Sequence, residues 1–160
     1  MKEGEFTSCL TKYSRIYSPL WPSSGPYAPL SPSLVQAHEK HNIVIHVDDN
    51  DPAKMNIALN NAANVDAYYK EKGEEVKIEI VAYGPGLMML VAGKSPVEER
   101  ITSFEQNFDN ISFKACGNTH KKMEKKAGKE VALVSQAQMV SSGVIHLSER
   151  QEQGWTYIKP

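Results

Sequence analysis

The sequence predicts an α/β domain in three layers, α/β/α, around a mostly parallel sheet of about five strands. Three observations carry that expectation. Short strand-like runs recur at residues 43–47, 76–83 and 111–115, the first of them β-branched as a strand buried on both faces requires. Segments whose apolar residues repeat with a helical period lie between them. The junctions carry helix start and stop residues, Asp51-Pro52 and Gly73 among them. Strand and helix therefore alternate. Alternation implies parallel strands joined by right-handed crossovers, with helices on both faces of one sheet.

Bulk composition narrows the class. A chain of 160 residues has room for one domain with a sizeable core and is short for two. The apolar fraction of 41% and charged fraction of 23% are ordinary globular values. A formal net charge of −1 gives no global pull toward nucleic acid or an anionic membrane, and neither is an expected partner. No run approaches the roughly 18 apolar residues of a membrane-spanning helix. Ser, Pro, Tyr and Lys interrupt every short apolar run before Leu34, so no signal-peptide core is visible. The two cysteines, Cys9 and Cys116, are too few for a disulfide framework or a cysteine zinc site. A reducing, cytoplasmic setting is expected.

Residues 1–38 differ from the rest. Pro19, Pro22, Pro26, Pro29 and Pro32 are five of the nine prolines, and they exclude a helix interior or central strand there. With Ser and Gly between them, the segment predicts a disordered or extended arm carrying Tyr13, Tyr17, Trp21 and Tyr27. Residues 39–160 are the expected domain.

In that domain, Ile43-Val44-Ile45-His46-Val47 predicts a central strand, ended by Asp48-Asp49-Asn50-Asp51. Asp51 and Pro52 then read as N-cap and first helical residue, and Met55, Ala58, Leu59, Ala62, Val65 and Tyr69 form one stripe. A second strand, residues 76–83, stops at Gly84-Pro85-Gly86, which opens a short apolar helix over residues 87–91. Ser95-Pro96-Val97-Glu98 reads as a capping box for a helix bearing Val97, Ile101, Phe104 and Phe108. The third strand is 111–115, and a Lys-rich helix then runs to Gly128 with its cap at Asn118 or Thr119. Val131-Ala132-Leu133-Val134 predicts a fourth strand, residues 143–153 a last helix, and residues 155–158 a last strand. The whole is flavodoxin-like in outline.

Ligands of such sheets gather outside the carboxyl ends of the strands, which marks residues 48–51, 84–86, 116–119 and 135–142 as candidate site segments. Cys116 stands out among them. It sits where a strand ends and a helix begins, so unpaired amides and the positive helix end face its sulfur. Such surroundings lower a thiol's pKa, and His120, Lys121 and Lys122 add positive charge nearby. Gly117 permits close approach. The competing reading is a small buried hydrophobe with no chemistry.

The strings HVDDNDP, AYGPGLMML, FKACGNT and SSGVIHLSERQEQGWTYIKP, in this order and spacing, resemble the DsrE/DsrF-like family over nearly all of residues 40–160. That resemblance implies a small α/β protein that assembles as a homo-oligomer, trimer or hexamer. It also implies cytoplasmic sulfur relay, in which a strand-exit cysteine takes a persulfide sulfur from a donor protein and passes it to an acceptor. Cys116 stands in the matching place, with Gly117, Asn118, Thr119, Gly84 and Gly86 around it as ligand-binding candidates. The turn Ala-Cys-Gly-Asn-Thr departs from the more apolar turn of the sulfur-relay subunits. Fold and site position carry over better than the activity.

The remaining candidates have duller explanations. Asp48, Asp49 and Asp51 have the oxygens to hold Mg²⁺, but a capped helix and a solvated loop account for them, and no metal or other cofactor is expected. Gly84-Pro85-Gly86 lacks a nucleotide-loop pattern and reads first as a tight turn. His46 on a buried strand reads as a hydrogen-bonded core residue, and His146 as a solvated or interface one. Lys121, Lys122, Lys125, Lys126 and Lys129 read as a solvated face. Leu87-Met88-Met89-Leu90 hints at a buried subunit contact. The alternative to sulfur relay is a non-enzymatic oligomeric assembly or small-ligand-binding protein with a structural cysteine.

Overall fold

A computed structural model describes residues 40–160. The arm expected over residues 1–38, with Cys9 and its aromatic residues, lies outside the described residues.

The elements run β1 (Lys40–Val47), α1 (Pro52–Lys72), β2 (Glu75–Ala82), a 3₁₀ helix (Gly84–Leu90), α2 (Glu98–Asn107), β3 (Ile111–Cys116), α3 (Gly117–Ala127), β4 (Ala137–Val140), α4 (Gly143–Glu152) and β5 (Thr156–Ile158). The five strands form one sheet in the order β4-β3-β2-β1-β5, and every pair is parallel. The flavodoxin-like α/β expectation holds.

Local chemistry explains most boundaries. The Asp51 carboxylate accepts the Ala53 amide at 2.8 Å, closing the start of α1, and Pro52 follows where its missing N–H costs nothing. Gly73, at φ 71°, ends the helix in the left-handed conformation. The inward stripe of α1, Met55, Ala58, Leu59 and Ala62, packs on Ile43, Ile45, Ile78 and Ile80, joined by Ile101 and Phe104 of α2. Val44 and Val81 point to the opposite sheet face, where Leu147 of α4 covers them.

Four expectations need correction. The run at residues 131–134 is not a strand: Leu133 makes an isolated antiparallel bridge to Val91, and the Val134 amide bonds the Leu90 carbonyl. Its apolar residues plug the end of the core, while the true edge strand, Ala-Gln-Met-Val, lies within residues 135–142. The capping box also fails to close. Ser95 Oγ does accept the Val97 amide at 3.2 Å, but Glu98 reaches the Gly93 amide at 2.7 Å, since the Ser95 amide is bound to the Val91 carbonyl. The third correction concerns α3, which begins at Gly117, so Cys116 itself is the N-cap. Finally, Leu87, Met89 and Leu90 are buried in the chain's own core rather than left for a subunit contact. The apolar side chains left outside include Met139, Val144, Ile145 and Tyr157.

Candidate functional site

Parallel pairing sets the carboxyl edge of the sheet. Ala82 pairs with Ala115, and Cys116 pairs with Val140, so Tyr83 and Cys116 stand side by side at the strand exits. Beyond Val140 the chain turns through Ser141 and Ser142 into α4. The Asn118 amide donates to the Ser141 carbonyl at 3.2 Å, which fastens the first turn of α3 to that bend. Gly143 presses on the Tyr83 ring: an added Cβ would lie 2.8 Å from Tyr83 Cβ. Gly117 is similarly confined, with the Val140 carbonyl 3.0 Å from any added Cβ. Both glycines serve close packing at the strand exits on either side of Cys116.

That sulfur lies between the N-terminal ends of two helices. Cys116 is 4% exposed, and burial pushes its thiol pKa upward. The Thr119 hydroxyl and the amides of Gly143, Thr119 and Asn118 act the other way and prevail, holding the pKa below the ordinary thiol value. No side-chain capping bond closes at Cys116, so its sulfur stays at the open N-terminal end of α3. Thr119 is placed by the neighbouring turn: its Oγ1 accepts the Gly84 amide at 3.0 Å, and its hydroxyl proton remains available to a second acceptor.

The remaining predicted residues fall around this point. Gly84 adopts φ 54°, a conformation that favours glycine, and its amide is spent on Thr119. Gly86 bonds the Asp48 carbonyl at 3.0 Å, and an added Cβ would lie 2.4 Å from the Val47 carbonyl oxygen. With Pro85 lacking an N–H, this turn shapes the site and offers no free amide cradle. Gly84, Pro85 and Thr119, with Met88, Met123, Lys122 and Lys126, line an open groove of about 300 Å³ beside α3. His120 bonds the Val131 carbonyl at 2.7 Å and is not placed as a partner of the thiol. The five lysines of the Lys-rich segment are exposed, as a solvated face requires.

Tyr83 links the sulfur to a second group of polar residues. His46 stacks on it, with ring centroids 4.6 Å apart, and pairs through Nδ1 with the Tyr157 hydroxyl at 2.6 Å. Burial lowers the His46 pKa, opposed by Asp48, whose Oδ2 is 3.6 Å from Nε2. Asp48 is in turn bound by Lys159 at 2.7 Å, and Asp49 by Lys54. Each acid of the cluster thus has its own partner, with Asp51 capping α1. Among the described residues, no three His, Cys, Asp or Glu side chains converge as a metal site.

Two parts of the site are not visible in local sequence. Gly143 lies 27 positions after Cys116, and only the Cys116–Val140 pairing reveals that the start of α4 meets the sulfur. Glu79 is the other. It is fully buried in the middle of β2, and α4 is bound to it. His146, expected to be solvated or at an interface, donates to Glu79 Oε2 at 2.7 Å because α4 lies along β2.

Fold and site together define a small, single-sheet parallel α/β protein with an amide-bound thiol at a strand exit. The chain is similar to the protein of unknown function MTH1491 from Methanobacterium thermoautotrophicum: that structure aligns with a TM-score of 0.63 and 30% sequence identity, over 75% of this chain and 99% of the other. The chain belongs to the family of that protein. No protein-family model and no curated protein matches it. Among the described residues, no helix is long and apolar enough to cross a membrane.

Proposed function

We propose that the protein is a DsrE/DsrF-like sulfur carrier, in which Cys116 accepts sulfur as a persulfide and hands it on. The carrying observation is the thiol's setting: a sulfur at a strand exit and at the N-terminal ends of two helices, surroundings that hold its pKa below the ordinary thiol value. A buried structural cysteine would be surrounded by apolar groups and pushed the other way.

The chemistry needs no oxidant. The Cys116 thiolate attacks the outer sulfur of a donor persulfide, R–S–SH. The donor's S–S bond breaks, R–S⁻ leaves, and Cys116 becomes Cys–S–SH. In the forward step an acceptor thiolate attacks the outer sulfur of that persulfide and regenerates the Cys116 thiolate. The amides that stabilise the thiolate also make it a better leaving group in this second step. The sulfur is nearly enclosed at 4% exposure, so transfer requires the acceptor thiolate to approach from the carboxyl edge of the sheet.

The resemblance also carries a homo-oligomer, trimer or hexamer, and sulfur-donor and sulfur-acceptor protein partners. Exposed Met139, Val144 and Ile145, on β4 and α4, provide apolar surface for a subunit contact.

The test is alkylation of Cys116 against pH, followed by incubation with glutathione persulfide, for the parent and Cys116→Ser. The proposal expects a titration midpoint below the roughly 8.5 of a free thiol and one added sulfur on the Cys116 peptide. A midpoint at the free value with no sulfur uptake overturns it. Measurement of solution mass checks the oligomer.

A further inference from the structure

The sheet face beneath α4 holds a group that the sulfur chemistry does not use. Glu79 lies in the middle of β2, the central strand of the sheet, with 0% exposure. Its strand neighbours in register are Val44 on β1 and Ser112 on β3. A carboxylate in such a position is costly unless charge and hydrogen bonds compensate. Here they come largely from α4. Arg150 grips the carboxylate with two donors, Nε to Oε2 at 2.8 Å and Nη2 to Oε1 at 3.1 Å, and His146 Nε2 adds a bond to Oε2 at 2.7 Å. Lys114 and Lys77 stand 3.9 and 4.0 Å from Oε1.

Strands hold the two ends of α4, β4 just before it and β5 just after, but packing along its length is sparse. Its buried apolar side chain is Leu147, while Val144 and Ile145 are 57% and 52% exposed. An apolar contact through one Leu has no directional preference and lets a helix slide or roll. A bidentate guanidinium–carboxylate pair has a fixed geometry. The helix lies along β2. Gly143 rests on Tyr83, and Arg150, seven residues later, reaches Glu79, four residues earlier on the strand. A rise of about 1.5 Å per helical residue against about 3.3 Å per strand residue makes the two spans comparable. Holding Arg150 on Glu79 therefore fixes the axial position of α4 and, together with the short link to β4, where Gly143 falls.

From this geometry we infer that Glu79 is a positioning residue for Cys116: through Arg150 and His146 it fixes the start of α4, and with it the Gly143 amide, over the sulfur. The inference rests on the role of Cys116 proposed above. It explains why a charged residue is kept at the centre of a buried sheet, since a packed apolar residue there would hold α4 without fixing its axial position.

The test is a thiolate absorbance titration in a Cys9→Ser background, for the full chain and the variants Glu79→Gln, Glu79→Asp and His146→Gln, with circular dichroism to confirm folding. Glu79→Gln is expected to raise the Cys116 midpoint so that the thiolate fraction at neutral pH falls about threefold or more. Glu79→Asp should restore part of the shift, His146→Gln should give a smaller one, and hydrogen exchange at the first turn of α4 should quicken in step. A folded Glu79→Gln with an unchanged midpoint overturns the inference. If Glu79→Gln does not fold, an unchanged midpoint in His146→Gln and Arg150→Gln does so. The two readings fail separately. A low, Glu79-sensitive midpoint in a protein that takes no sulfur removes the relay alone, and a Glu79-insensitive midpoint in a protein that takes sulfur removes this inference alone.

Discussion

Thr119 Oγ1 accepts the Gly84 amide at 3.0 Å, and the same hydroxyl, three residues after Cys116 in α3, helps hold the thiol pKa below its ordinary value. One side chain therefore joins the β2 exit to the sulfur. Thr119→Val keeps the shape and removes the oxygen. The Gly84 amide then loses its partner at a cost of about 1–3 kcal/mol, and the Cys116 midpoint rises. Thr119→Ser should retain both properties. Urea unfolding and thiol titration of the two variants check this.

Gly86 is predicted to tolerate no side chain. Its added Cβ would meet backbone, the Val47 carbonyl oxygen at 2.4 Å and its carbon at 2.7 Å, and backbone in a central strand cannot swing aside. Gly86→Ala should destabilise by about 1–3 kcal/mol, as forced overpacking does. Denaturant midpoints at constant m-value measure it.

Glu79 predicts the acid limb of stability. Burial alone would raise its pKa, but the bonds from Arg150 and His146 outweigh that and hold it below the ordinary carboxylate value. As pH falls, the unfolded chain takes up this proton first. The contribution is therefore complete above about pH 4.3 and is lost as pH drops through the folded value. Glu79→Gln should lower stability at neutral pH by about 3–5 kcal/mol, because Arg150 loses its anion. It should also flatten the acid limb. Urea midpoints from acid to neutral pH test both statements.

Burial depresses the His46 pKa, so the sign is the same in a different window. The stability it contributes is present above about pH 6.5 and is lost as pH falls through the lower folded value. His46→Phe keeps a ring on Tyr83 and removes the buried Nε2, which lacks a hydrogen-bond partner. It should cost no more than about 1 kcal/mol, since Tyr157 can turn to water, and it should remove the pH dependence in that window. Thermal unfolding at several pH values checks it.

The legible part of the fold was the part written locally. Asp51-Pro52, Gly73 and the Val/Ile runs fix α1, β1 and β2 through caps and burial that act within a few residues. Edge strand β4 was not legible, because Ala-Gln-Met-Val needs no continuous apolar pattern when none of its residues is fully buried. The apolar run before it drew attention for a different reason, core closure by Val134. At the site, Cys116 and Thr119 were visible because they adjoin in sequence. Gly143 and Glu79 were not, since their relation to the thiol exists only after β3 pairs with β4 and α4 folds back along β2.

The most direct measurement is mass spectrometry of the protein isolated from cells into an alkylating quench, reading the Cys116 peptide. A sulfur carrier predicts a fraction of that peptide with an additional sulfur, removed by reductant and absent from Cys116→Ser. A peptide found only as the plain alkylated thiol, both as isolated and after exposure to glutathione persulfide, would contradict the account.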